Sequence, residues 1–231
     1  MYGFQDYKNN HTLFRQENYR LSVVDKYMND KRIRKNFHVK MLRKHHADHD
    51  TIIVDELGLK HGKCRADIAV INKHLIGYEI KSDEDSLYRF DQQIEIYNTV
   101  FDRATVIVGT KYADEVKSHV PDWWGIIASY QGYENEIAFE TVRPARMNRG
   151  IDLLSVAQLL WRNEAISILS DFGVSKTNLQ KKRLFLYQHL IELISPVELR
   201  RIVRDCLKKR RNWRCHKLPF PSGDLSQPSA K

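Results

Sequence analysis

Residues 65–81 read RADIAVI, then NKH, then LIGYEIK. Two runs rich in β-branched and apolar residues, Arg65–Ile71 and Leu75–Lys81, flank the turn-like Asn72-Lys73-His74. That pattern predicts a β-hairpin. A three-residue loop sets Ile71 opposite Leu75, and the same register carries Asp67 opposite Glu79, with Cβ atoms ~5 Å apart. A two-residue loop would slip the register by one and send the two acids to opposite faces. Two-residue periodicity also puts Glu79 and Lys81 on one face and Ile80 on the other. Charges in otherwise apolar strands are costly unless paired or metal-bound.

Outward from the hairpin, periodicity switches between strand and helix. Residues 31–46 predict a helix with Ile33, Phe37, Val39, Met41 and Leu42 as its apolar positions. Thr51–Val54 is a short strand. After the hairpin, Ser82 is expected to cap a helix, with Asp85 in the place of a capping-box acid. Leu87, Phe90, Ile94, Tyr97 and Phe101 follow at steps of three and four, which is one helical face. Ala104–Gly109 reads as a buried parallel strand. A short helix around 112–119 and a strand at Trp123–Ala128 complete the pattern. The fold class is α/β, with a mixed central sheet flanked by helices.

Beyond Arg143-Pro144 the signals are helical. Val156, Leu159, Leu160, Ile166 and Leu169 fit one helix, stopped near Gly173. Residues 181–194 are apolar almost all round, so that helix is expected to be buried. Ser195-Pro196-Val197-Glu198 is a start signal, with Ser as N-cap, Pro first and Glu third. The helix it opens carries Leu199, Ile202, Val203 and Cys206 on one side and Arg200, Arg204, Lys208 and Arg211 on the other. The chain divides into an extension (1–30), an α/β domain (31–142), a basic all-helical segment (143–217) and a Pro/Ser-rich tail (218–231) expected to be disordered.

The 231 residues carry 38 Lys and Arg against 29 Asp and Glu. Residues 31–46 hold seven of those cations and no carboxylate, and residues 200–217 hold nine with one Asp. Two dense basic segments therefore flank an acidic centre, and nucleic acid is the partner such a distribution suggests. The plain alternative is two solvated helix faces. No apolar run approaches the ~20 residues of a membrane span. The N-terminal MYGFQDYKNNHTLF lacks the apolar core of a secretory signal. Three sparse cysteines suit a reducing compartment. A soluble, cytoplasmic protein is expected.

The hairpin carries the chemistry. Two carboxylates held ~5 Å apart repel unless a cation sits between them. Oxygen-only ligands select a hard cation, Mg²⁺ or Mn²⁺. With an adjacent Lys this is a toolkit for phosphodiester hydrolysis. The structural alternative is a salt bridge of Lys81 with Asp67 or Glu79.

Asp67, then Glu79-Ile80-Lys81, then Gln93 and Tyr97 four residues apart resemble the PD-(D/E)XK nuclease superfamily, the restriction-endonuclease-like fold. The QxxxY spacing is similar to its RecB-type members. The passage from Asp55 to Gly109 resembles a little-studied bacterial branch, as do Leu160-Trp161-Arg162 and the basic C-terminal helix. One departure is Ala66, where the superfamily's name has Pro. The resemblance implies a Mg²⁺-dependent nuclease acting on nucleic acid, DNA foremost. It implies that Asp67, Glu79 and the Ile80 carbonyl hold the metal, with Glu56 as a further acid. Lys81 would activate water. Gln93 and Tyr97 would reach the rim of the site, Tyr97 towards nucleic acid. Arg200, Arg204, Lys208 and Arg211 would lie along phosphates. A homodimer, a protein partner and a silent binding module stay open. His45, His46, Asp48, His49 and Asp50 read as the polar end of a helix rather than a metal cluster, and Cys206 with Cys215-His216 lacks the second pair of a zinc site. Cys64 is expected to be inert, and Trp123-Trp124 to be core.

Overall fold

The computed structural model describes residues 29–133, 136–210 and 213. The extension up to residue 28, Arg211, Cys215 and the tail lie outside the described residues. Helix α1 (Asp30–Lys40) and the single turn α2 (Arg43–His46) precede strands β1 (Ile52–Leu59), β2 (Cys64–Ile71) and β3 (Leu75–Lys81). Helix α3 (Phe90–Val100) leads to β4 (Arg103–Gly109), and α4 (Val116–His119) to β5 (Gly125–Gln131) and β6 (Ile137–Arg143). Helices α5 (Leu153–Ala157), α6 (Arg162–Asp171), α7 (Lys176–Leu179), α8 (Arg183–Leu193) and α9 (Pro196–Lys209) follow.

The six strands form one sheet in chain order, β1 to β6. β1, β2 and β3 run antiparallel, β3–β4 and β4–β5 are parallel, and β5–β6 is antiparallel. The parallel pairs need crossovers, and α3 and α4 supply them. β6 is absent from the sequence reading. The expected single helix over 31–46 is two, because Met41 and Leu42 break it, and Val39 and Met41 face water. The Val156–Leu169 helix is likewise two, with a break at Gln158–Trp161. Its stop at Gly173 is as expected, in the left-handed conformation at φ 77°.

Ser82 does not cap α3. Its N–H and hydroxyl both bond the Asp85 carboxylate in a tight turn, and the helix begins after Ser86, whose hydroxyl accepts from the Tyr88 N–H. α8 is not buried all round: Leu186, Tyr187 and Leu190 are core, whereas Leu184, Phe185 and Leu193 are exposed. Ser195 caps α9 through the Glu198 N–H, with Pro196 first, as the start signal predicts.

Each face of the sheet has its own apolar layer. On one, Ile33 and Phe37 of α1 pack on Ile53, Ile68, Val70, Ile80, Ile107 and Ile127. On the other, α3 and the C-terminal helices share one core with Val54, Leu57, Ala69, Val106 and Val108, reaching Leu199, Val203 and Leu207 of α9. The change of character near residue 143 therefore marks a change of element type, with no break in the core.

At Gly77 the helix layer comes close against the sheet. A Cβ there would lie 2.7 Å from two ring carbons of Phe101, which is wholly buried. Phe101 in turn packs on Tyr97 with ring centroids 4.8 Å apart. Gly77→Ala must displace that ring, and overpacking of this kind costs about 1–3 kcal/mol. Urea denaturation should show a lower midpoint with an unchanged slope. An unshifted midpoint would mean that the two layers are looser here than the structure has them.

Candidate active site

The hairpin has the three-residue loop, with Ile71 opposite Leu75, Val70 opposite Ile76 and Ile68 opposite Tyr78. Pairing ends there, one step before Asp67 and Glu79. The cause lies in β1 and β2. Val54 and Leu57 both face the helical layer although they are three residues apart, and so do their partners Ala69 and Ala66. Strict alternation forbids this. The pleat is reset at Glu56 and Asp67, where the β1–β2 register skips a pair. Glu56 has a φ of 57° there, a left-handed conformation that costs a non-glycine residue about 1–3 kcal/mol.

The reset brings the Asp67 carboxylate to the end of the β2–β3 ladder. Its Oδ2 accepts from the Ile80 N–H at 2.8 Å, and its Oδ1 from the Arg34 guanidinium at 2.9 Å. Arg34 also donates to the Asp67 carbonyl at 2.6 Å and to Asp30, one turn back on α1. Within a strand, a residue directs its N–H and C=O to the same neighbour. The Ile80 carbonyl thus points to the side on which Asp67 lies.

Glu79 and Lys81 face the helical layer together. Glu79 is 2 % exposed. Its Oε1 lies 3.0 Å from the Lys81 ammonium and accepts from the Gln93 amide at 2.6 Å, and its Oε2 accepts from the Tyr97 hydroxyl at 2.5 Å. Gln93 closes the ring by accepting from Lys81 at 2.8 Å. Phe90 lies under the ammonium, 5.4 Å from its centroid. One turn of α3 thereby fixes both members of the Glu-x-Lys pair. Among the described residues, no buried side-chain polar atom lacks a partner.

This arrangement shifts proton affinities. Burial, and next the charge of Glu79, push the Asp67 carboxyl up to about 7. Burial raises Glu79 as well, against the lowering pull of Lys81, Tyr97 and Gln93. The Cys64 thiol is pushed up to about 12 by burial and then by Glu79 and Asp67, which makes it the inert thiol expected.

Three expected roles change. Tyr97 is 0 % exposed and holds Glu79 from within the core, so it is not a nucleic-acid contact. Glu56 is not brought together with Asp67 and Glu79 as a third acid; its carboxylate lies 3.6 Å from Arg65. Among the described residues, no group of three or more His, Cys, Asp or Glu is placed to hold a metal ion. Arg200 is not a free phosphate contact. It pairs with Asp102, which is 2 % exposed and also accepts from the Leu75 N–H at 2.7 Å. Lys208 pairs with Asp50 at 2.8 Å, and the Arg204 side chain lies half-buried near Asp102 and Arg200.

Sequence reasoning missed Arg34 and a buried polar chain beside it. His38, wholly buried, bonds His46 at 3.0 Å and Asp55 at 2.9 Å. A basic helix with Asp30 one turn before Arg34 hinted at the first, and nothing local marked the second.

Fold and site together define an α/β protein with a buried acid–lysine cluster at the foot of a kinked hairpin. Over residues 24–217 the chain matches the family described as Bacteriophage P4 protein cII, and it belongs to that family. Protein cII of Enterobacteria phage P4 is 28% identical to it over 129 residues, 56% of this chain and 48% of that protein. The chain thus spans about half the length of the curated relative it matches. No solved structure matches. Among the described residues, no helix is long and apolar enough to cross a membrane.

The raised Asp67 pKa has a signed consequence for stability. The carboxyl titrates at 3.8 when unfolded and at about 7 when folded. Between those values the folded state holds the extra proton, so this group's contribution to stability falls as pH rises, and the loss is complete above the folded value. Asp67→Asn removes that loss. Its melting temperature relative to the unaltered protein should rise from about pH 4 to about pH 8. A difference that stays flat with pH would show an unperturbed Asp67.

Proposed function

We propose that this protein is a Mg²⁺- or Mn²⁺-dependent nuclease that hydrolyses phosphodiester bonds in DNA, built on a restriction-endonuclease-like core of the PD-(D/E)XK type. The observation that carries the reading is the ring in which Glu79 and Lys81 meet Gln93 and Tyr97 of the following helix, with Asp67 near enough for the Glu79 charge to raise its pKa. The strand positions agree with it: the acid lies on β2, Glu-x-Lys on the neighbouring β3, and a crossover helix leads to parallel β4.

The donor set suits a hard cation. Asp67 and Glu79 offer carboxylate oxygens whose raised proton affinity reflects two acids kept close and dry. Each oxygen has more than one lone pair, so the hydrogen bonds seen leave coordination capacity. Mg²⁺ is commonly held by only one or two carboxylates together with substrate phosphates and waters, so a third acid is not required. The Ile80 carbonyl is directed to the same side. The ion, when bound, supplies Lewis acidity and a water of lowered pKa.

The chain's own residues do the rest. Gln93 holds the Lys81 ammonium on one side and the Glu79 carboxylate on the other, so neither swings away. Tyr97 fixes the second Glu79 oxygen. Lys81 orients the attacking water and offsets negative charge that grows on the phosphate. Arg34 holds the backbone carbonyl and the carboxylate of Asp67 together.

That same Arg34 contact favours a second reading, a nucleic-acid-binding module in which a guanidinium neutralises Asp67 permanently. Plasmid nicking separates the two. The nuclease nicks in Mg²⁺ and stops in EDTA. Asp67→Ala and Glu79→Ala abolish nicking with nucleic-acid affinity near that of the unaltered protein, and Lys81→Ala slows it by ~10² or more. Tight binding with no nicking in either metal, or full activity in Asp67→Ala, gives the case to the second reading.

A further inference from the structure

A cleft of about 520 Å³ opens between the end of β1 and the segment joining α5 to α6. Leu57 and Gly58 line it on one side. Leu57 pairs with Ala66, the neighbour of Asp67, so this wall of the cleft belongs to the strand pair that carries the acid. On the other side stands Trp161. Its side chain is 57 % exposed, an unusual state for so large an apolar ring.

The ring is nonetheless anchored. The Trp161 backbone N–H donates to Glu164 at 2.7 Å, which fixes the start of α6. The Arg210 guanidinium lies 4.1 Å from the Trp161 ring centroid and 5.1 Å from that of Trp213. Glu164 grips the guanidinium at 2.8 and 2.5 Å, the Leu159 carbonyl accepts from it at 2.8 Å, and the Arg210 side chain is 6 % exposed. One indole face is thus backed by a buried cation whose charge Glu164 already answers. The ring is otherwise exposed at the cleft, whose wall Arg210 and Trp213 share. Arg183, the first residue of α8, lines the same cleft, is exposed, and makes no hydrogen bond or ion pair among the described residues.

We propose that this cleft binds a single-stranded segment of nucleic acid, with one base stacked on the open face of Trp161 and its phosphate at Arg183. The volume is that of a small-molecule site and accommodates a nucleotide. A flat ring with a free cation beside it is how single strands are held without regard to sequence. Inside a duplex both faces of each base are already stacked, so an internal base pair offers none to Trp161. The inference rests on the nuclease reading for its context, and it narrows the substrate to strands that are single or frayed beside the cut.

Binding in EDTA tests the cleft apart from the chemistry. The probes are a labelled oligothymidine and a blunt duplex, titrated by fluorescence anisotropy. Trp161→Ala should weaken the single strand by about 5- to 150-fold, the scale of one lost base–aromatic stack, and Trp161→Phe should recover most of it. Duplex affinity should change little. Arg183→Gln, an exposed change that leaves the fold alone, should lower the slope of log affinity against log salt on the single strand by about 0.7. Unchanged single-strand affinity in Trp161→Ala overturns the proposal and leaves the cleft to a peptide. Equal losses on single strand and duplex also overturn it, as does an unchanged slope in Arg183→Gln. Loss of stacking without any nicking in Mg²⁺ would refute the nuclease alone, and nicking by a protein indifferent to Trp161→Ala would refute the cleft alone.

Discussion

The Asp67 carboxylate takes the hydrogen bond that a ladder carbonyl would otherwise accept from the Ile80 N–H. A side chain does this only where its own strand has turned out of the ladder, and the pleat reset opposite Glu56 provides that turn. The consequences run in both directions. Towards α1, the displaced strand offers its carbonyl and carboxylate to one guanidinium, Arg34. Towards α3, β3 stays regular, so Glu79 and Lys81 keep their common face and meet Gln93 and Tyr97. An unbroken hairpin would satisfy its backbone and leave the acid without this position.

The cluster is held by groups that are themselves held. Tyr97 is packed by Phe101 and Trp124, and the Trp124 indole N–H donates to Asn98 on the same helix. Phe101 sits on Gly77, and the next residue, Asp102, accepts from Leu75 while pairing with Arg200 of α9. Breaking a buried pair strands a charge at a cost of about 3–5 kcal/mol, far more than a surface pair such as Lys208 with Asp50 is worth. The two basic residues expected to behave alike on one helix face thus differ in what they do for the fold, because one partner is buried and the other is exposed.

The parts legible in the sequence were those with local signatures. Ile71 and Leu75 follow from the loop length, and the common face of Glu79 and Lys81 from strand alternation, whereas Gln93 and Tyr97 enter only through the family resemblance, which puts them at the rim and not in a ring around Glu79. The capped start of α9 follows from Ser195 and Pro196. What escaped had no local cue or a contrary one. Glu56 adopts a left-handed conformation that Gly or Asn would have announced. β6 alternates weakly and has exposed residues among its seven. Arg200 meets Asp102 across 98 residues of chain. Periodicity reports which side of an element is polar, and it is silent on whether an acid waits there.

The strand order has a bearing on how the protein is made. Because β1 to β6 lie side by side as they follow in the chain, each strand can join an edge already present as it leaves the ribosome. The helical cover cannot form so early, since α9 contributes Leu199, Val203 and Leu207 to the same core as β1 and β2. Until α9 docks, the face that α3 already shields in part stays incompletely covered, the state in which edges and patches find wrong partners. The docking of α9 is the act that completes the core it shares with β1 and β2.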